Sequence, residues 1–66
     1  MTVWLNGEAA ETRGALTIGE LAKCFGLAPN TVLVEHNGLA LHQREWNQRQ
    51  LAENDRVEFI RVVAGG

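Results

Sequence analysis

Asn-Gly occurs twice, at Asn6-Gly7 and Asn37-Gly38, and each pair lies between short runs able to pair as strands. A two-residue hairpin turn needs positive φ at both central positions, which Asn-Gly tolerates well. Thr2-Val3-Trp4-Leu5 leads into the first turn, and residues from Glu8 to about Arg13, of weaker β-propensity, are expected to return from it. Val32-Leu33-Val34-Glu35-His36 leads into the second, and Leu39-Ala40-Leu41 starts the return. Between the hairpins, Thr17 and Glu20 have the spacing of a capping box, with Leu16 and Leu21 placed for a hydrophobic staple. Ile18, Leu21, Ala22 and Phe25 then lie on one helical face. Gly26 suits the left-handed conformation that ends a helix, and Pro29 follows soon after.

From Gln43 to Gln50 the chain is polar apart from Trp46, which predicts an irregular loop or one helical turn pinned by that indole. Asn54-Asp55 marks a turn, and Arg56 to Val63 reads as the last strand. The order is hairpin, helix, hairpin, strand. It predicts an α+β domain over residues 1–66, a mixed sheet of four to five strands with one helix packed on one face. A right-handed crossover through the helix lets a later strand lie parallel to the first. This is the β-grasp order. A ferredoxin-like arrangement needs a second substantial helix, and residues 43–50 lack the apolar face for one.

A body of 66 residues has little core to spare for an internal site. It buries only about 60% of the surface its unfolded chain exposes, while a ligand pocket takes roughly 300–1,000 Å³. No acid–base pair or nucleophile constellation is visible either. Both points argue for a module that works through its surface or its ends rather than for an enzyme. The formal net charge is −2, with six basic residues scattered among eight acidic ones. Nucleic-acid binders need a basic patch, so a protein partner with a basic surface is the easier expectation. Cys24 is the only cysteine, which excludes an internal disulfide. No apolar run is long enough to span a membrane, and no signal peptide opens the chain, so a cytoplasmic location is expected.

Val57, Phe59, Ile60, Val62 and Val63 should anchor the last strand, and Ala64-Gly65-Gly66 after it carries almost no side chain. Three extended residues span roughly 10 Å, enough for a flexible tail tipped by a carboxylate. Glycine lets another backbone approach closely and lets the thread enter a narrow channel. A terminal carboxylate, ionised at neutral pH, resists nucleophilic attack until it is converted to an acyl derivative. Transfer of AMP from ATP is the usual biological means. The chain has no Gly-rich phosphate loop before a helix, so another protein would have to do this.

On these residues the sequence resembles the thiamine-biosynthesis sulfur carrier family, ThiS, within the ubiquitin-like β-grasp superfamily. The resemblance covers essentially the whole chain. It rests on Asn6-Gly7, Thr17-x-x-Glu20, Asn37-Gly38, Arg44-Glu45-Trp46, Asp55-Arg56-Val57-Glu58 and the ending Val62-Val63-Ala64-Gly65-Gly66. It implies that Gly66 is the site of adenylation and of covalent sulfur attachment as a thiocarboxylate, with Gly65 and Ala64 as the slim lead-in. It implies three partners. An E1-like adenylyltransferase would use ATP and magnesium. A sulfur donor, a cysteine desulfurase or persulfide protein, would supply the sulfur. Thiazole synthase would receive it. The carrier itself would bind no cofactor. The chain departs from the family at His42-Gln43, where Pro-Arg is common, and at His36, where an aliphatic residue is common.

The alternatives are a molybdopterin-synthase small subunit, a ubiquitin-like modifier joined to lysines, and a non-covalent β-grasp interaction domain. Elsewhere the residues favour plainer roles. Cys24 is expected to be a small, partly buried helix residue, and His36 and His42 make a poor metal signal. Trp46 reads as a core plug. Strand alternation leaves Trp4, Ile60 and Val62 as a candidate partner interface beside the tail.

Overall fold

The computed structural model describes residues 1–62. The elements are β1 (Thr2–Leu5), β2 (Glu8–Glu11), α1 (Ile18–Cys24), β3 (Val32–His36), β4 (Leu39–Leu41) and β5 (Arg56–Arg61). Short 3₁₀ turns at Pro29–Thr31 and Gln43–Glu45 complete the set. The five strands form one mixed sheet in the order β2-β1-β5-β3-β4. β5 thus lies at the centre, parallel to β1 and antiparallel to β3. This is the β-grasp arrangement expected from the order of the elements.

Local chemistry explains each boundary. Asn6 and Gly7 have φ of 51° and 85°, and Asn37 and Gly38 have 52° and 85°. Both hairpins therefore close through turns of the type that matches strand twist. The Thr17 hydroxyl accepts from the Glu20 backbone N–H at 3.1 Å, which makes Thr17 the N-cap of α1. The Glu20 carboxylate reaches back to the N–H of Leu16 at 2.7 Å. At the other end, Gly26 at φ 69° lets its N–H reach the Lys23 carbonyl while Leu27 N–H reaches Ala22. These two bonds form a Schellman motif.

Three expectations need correction. Leu16 is 64% exposed and closes no staple over the buried Leu21, because its segment is tied instead to residues 49–51. Ile18 N–H bonds to Arg49 and Leu51 N–H to Leu16, backbone to backbone. The returning strand β2 stops at Glu11, because Arg13 and Gly14 turn the chain at φ 58° and 86°. Cys24 is exposed, since the buried face of α1 is carried by Ile18, Gly19, Leu21 and Ala22. The last strand is described to Arg61, and Val63 lies outside the described residues.

The core sits between α1 and one face of the sheet. Val3, Val34, Val57 and Phe59 point inward from the strands to meet Ile18, Leu21 and Ala22. Each fully buried aliphatic side chain contributes about 1.5–3 kcal/mol relative to exposure. Trp46 is buried at the C-terminal side of the second 3₁₀ turn, as the expected plug, and meets the Phe59 ring edge-on at 6.4 Å. Its indole N–H has no partner among the described residues. The 43–50 segment is docked on the helix: Gly19 N–H donates to the Trp46 carbonyl at 3.0 Å, and Asn47 fills the space a side chain at Gly19 would need.

Candidate functional site: the last strand and the face it exposes

β5 is the element that carries the chain towards residues 63–66. Alternation divides its side chains sharply. Val57 and Phe59 are buried against the helix, whereas Glu58 and Ile60 face outward. The residue after the strand, Val62, is held through its N–H to the Thr31 carbonyl at 2.8 Å. The backbone is thus tied down to the last described residue.

The two turn asparagines bind this strand from opposite sides. Beyond the end of β1, the Asn6 side chain accepts from Phe59 N–H at 2.8 Å and donates to the Phe59 carbonyl at 3.3 Å. Its own N–H bonds to the Val57 carbonyl. Asn37 repeats the device from the other neighbour. Its side chain accepts from Arg56 N–H at 2.8 Å, and its N–H donates to the Arg56 carbonyl at 2.7 Å. Each amide group stands in for a strand residue and extends the ladder past a hairpin turn. Sequence reasoning read these residues only as turn formers. The available signal was the choice of asparagine, rather than aspartate or glycine, at the same place in both turns.

Behind the strand's start lies a buried polar chain. His36 is 4% exposed. Its Nδ1 accepts from Arg49 Nε at 3.0 Å, and its Nε2 lies 2.7 Å from Asp55 Oδ2. A guanidinium can only donate, so Nδ1 is the acceptor and Nε2 carries the proton. Asp55 also accepts from Asn37 Nδ2 at 3.1 Å and from Ala52 N–H at 2.8 Å. Burial opposes ionisation of Asp55 and pushes its pKa up, but the bonds from His36, Asn37 and Ala52 outweigh this and hold the carboxyl below its ordinary range. The polar residue at position 36 is therefore structurally committed, with both ring nitrogens engaged. His42 lies apart and exposed, where its backbone N–H is capped by Glu45 at 2.8 Å.

Trp4, Ile60 and Val62, the expected interface residues, are 45%, 45% and 47% exposed. The structure adds Leu33, which is 59% exposed and lies directly opposite Ile60 in the β3–β5 register. Trp4 stands across from Arg56 on the β1 side. Glu35 and Glu58 face each other between these apolar groups. The outer face of the three central strands therefore combines large bare hydrophobes with two acids and one arginine, Arg56. Ala64, Gly65 and Gly66, the expected tail, lie outside the described residues.

The family model of ThiS matches residues 3–66, which is nearly the whole chain and includes those last positions. The chain belongs to the ThiS family. Among solved structures, the crystal structure of the thiamine biosynthesis protein ThiS from Geobacter metallireducens superposes with a TM-score of 0.84 at 30% sequence identity, covering all of both chains. The solution structure of a thiamine biosynthesis protein from the same organism gives 0.81 at 30% identity, covering all of this chain and 88% of the other. A more distant relative is the uncharacterized protein ycf40 of Trieres chinensis, 23% identical over 65 residues, which span 98% of this chain and 89% of that one. Membership of the ThiS family and the shared β-grasp fold agree with the element order read from the sequence. No helix among the described residues is long and apolar enough to cross a membrane.

Proposed function

We propose that this ThiS-family chain is a sulfur carrier protein in the formation of the thiazole of thiamine, and that it works as a co-substrate rather than as an enzyme. The carboxylate of Gly66 receives AMP from ATP on an E1-like adenylyltransferase, with magnesium bound by that enzyme. Sulfur delivered as a persulfide by a cysteine desulfurase or related donor then replaces AMP. The resulting thiocarboxylate passes its sulfur to thiazole synthase. The observation that carries this reading is the family match through residue 66, joined to a central strand held from both sides as far as Phe59 and from the β3 side up to Val62.

The division of labour follows from the physics of the fold. A lead-in of Ala64 and Gly65 to a terminal glycine can pass through a channel too narrow for larger side chains. Position is then set by the body, which docks through Trp4, Ile60 and Val62 on the face that flanks the exit of β5. Fixing the chain up to Val62 lowers the entropy lost when the carboxylate is aligned with ATP, because the body up to that point is already ordered.

The test is intact mass after incubation with the adenylyltransferase, ATP and a persulfide donor. A shift equal to exchanging one oxygen for sulfur is expected. Adding one residue after Gly66, or deleting Gly66, should leave the thermal transition in place and abolish that shift. Loading of the extended variant at the normal rate would defeat the proposal.

A further inference from the structure

The outer face of the sheet holds an arrangement that folding alone does not favour. Glu35 and Glu58 are direct partners across the antiparallel β3–β5 pair and lie on the same face. Side chains so placed have Cβ atoms about 4.5–5.5 Å apart, and like charges there destabilise the sheet. Neither takes part in either of the ion pairs found among the described residues, which join the N-terminus to Glu11 and His36 to Asp55. Arg56 lies two residues before Glu58 on the same side of β5 yet does not bridge to either acid within 4.0 Å.

The two acids also share a hollow. Together with Trp4, Gly7, Gly38 and Arg56 they line a concavity of about 300 Å³ on this face. The absence of side chains at Gly7 and Gly38 keeps its ends low. Trp4 walls one side with an exposed indole. Beyond the acids along β5 and β3 lie Ile60, Leu33 and Val62, all exposed. The pattern is two acids and one arginine, net negative and without an ion pair between them, inside an apolar surround beside β5.

We infer that this face docks the adenylating protein partner by receiving one of its arginine or lysine side chains between Glu35 and Glu58, with Trp4, Leu33, Ile60 and Val62 burying apolar surface around it. The inference rests on the carrier reading for the identity of the partner. Charge complementarity selects the occupant: a cation relieves the repulsion between the two acids, while an apolar or acidic insert would leave them desolvated and unpaired. An arginine gains further from the neighbouring Trp4 ring, whose face attracts a guanidinium. The apolar surround excludes water from the pair, the usual anatomy of an energetic centre at an interface. Ile60 on β5 and Val62 just after it are the outward residues of this face nearest in sequence to the carboxylate, so a protein that receives the carboxylate has this face within reach.

The experiment measures the dissociation constant of the full chain for the purified adenylyltransferase, at low and at high salt, for the wild type and for the double variant Glu35→Gln/Glu58→Gln. The double variant should melt no lower than wild type, since a like-charge repulsion has been removed. Its affinity at low salt should fall at least about tenfold, and its salt dependence should flatten. A second variant, Glu58→Arg, gains an opposite-charge partner in Glu35, so it should fold at least as well and bind worse still. Unchanged affinity and unchanged salt dependence in the double variant would overturn the inference, as would failure of wild type to bind this enzyme at all. Charge-dependent binding by a wild-type chain that never acquires AMP or sulfur would support the docking inference and sink the carrier reading, so the two failures are distinguishable.

Discussion

The two faces of β5 obey opposite rules. On the inner face Val57 and Phe59 meet the helix and Trp46 and are buried in the core. On the outer face Glu58 opposes Glu35, Ile60 opposes Leu33, and both pairs are left uncovered. One strand therefore serves stability and recognition at once, because its side chains alternate with a period of two. The comparison teaches that in so small a body a binding surface costs little core, provided it lies on the sheet face the single helix cannot reach.

The comparison would be broken most severely from the inside. Trp46→Ala removes the indole that meets Phe59, and truncations of this kind cost about 3–5 kcal/mol. That rivals the whole stability of a 66-residue chain, at roughly 0.05–0.15 kcal/mol per residue. Chemical denaturation should show no cooperative transition for this variant at room temperature. Trp46→Phe should remain folded, since it also removes a buried N–H that has no partner among the described residues.

A smaller effect is expected at the strand's start. Asp55→Ala leaves the buried His36 N–H without its acceptor, at a cost of about 1–3 kcal/mol in urea unfolding at neutral pH. The same group predicts a pH dependence. The folded carboxyl is held below its ordinary range, so it binds a proton less readily than in the unfolded chain. The stability it contributes is complete above the unfolded carboxylate value of about 3.9 and is lost as pH falls through the folded one. A melting temperature followed down through this acid range should fall in wild type, and less steeply in Asp55→Ala.

The outer face should show the smallest change in stability. Trp4→Ala is expected to shift unfolding by less than about 1 kcal/mol, because the indole is nearly half exposed. Its effect should appear as weaker binding of the adenylyltransferase. A large loss of stability would mean that the outer face is part of the core after all.

Much of this was legible in the chain itself. The Asn-Gly pairs, the Thr17 cap and the Gly26 terminator are local devices, decided within a few residues, and each formed where expected. Alternation in residues 57–62 correctly separated Val57 and Phe59 from Glu58 and Ile60. The extent of β2 was misjudged, because left-handed residues at Arg13 and Gly14 end it and only the latter is a glycine. Cys24, expected to be partly buried as cysteines usually are, is exposed because it lies off the Ile18, Leu21 and Ala22 face of the helix.

The amino-acid sequence by itself determined the order of elements, their turns and caps, and the resemblance to the ThiS family, because these depend on neighbours in the chain. Only the tertiary structure decided what meets across long separations. It placed Glu35 opposite Glu58, tied Asn6 to Phe59 across 53 positions, and closed the Arg49–His36–Asp55 chain. Those contacts follow from strand register and from the central position of β5, which arise when the whole apolar surface is buried together and not from any local preference.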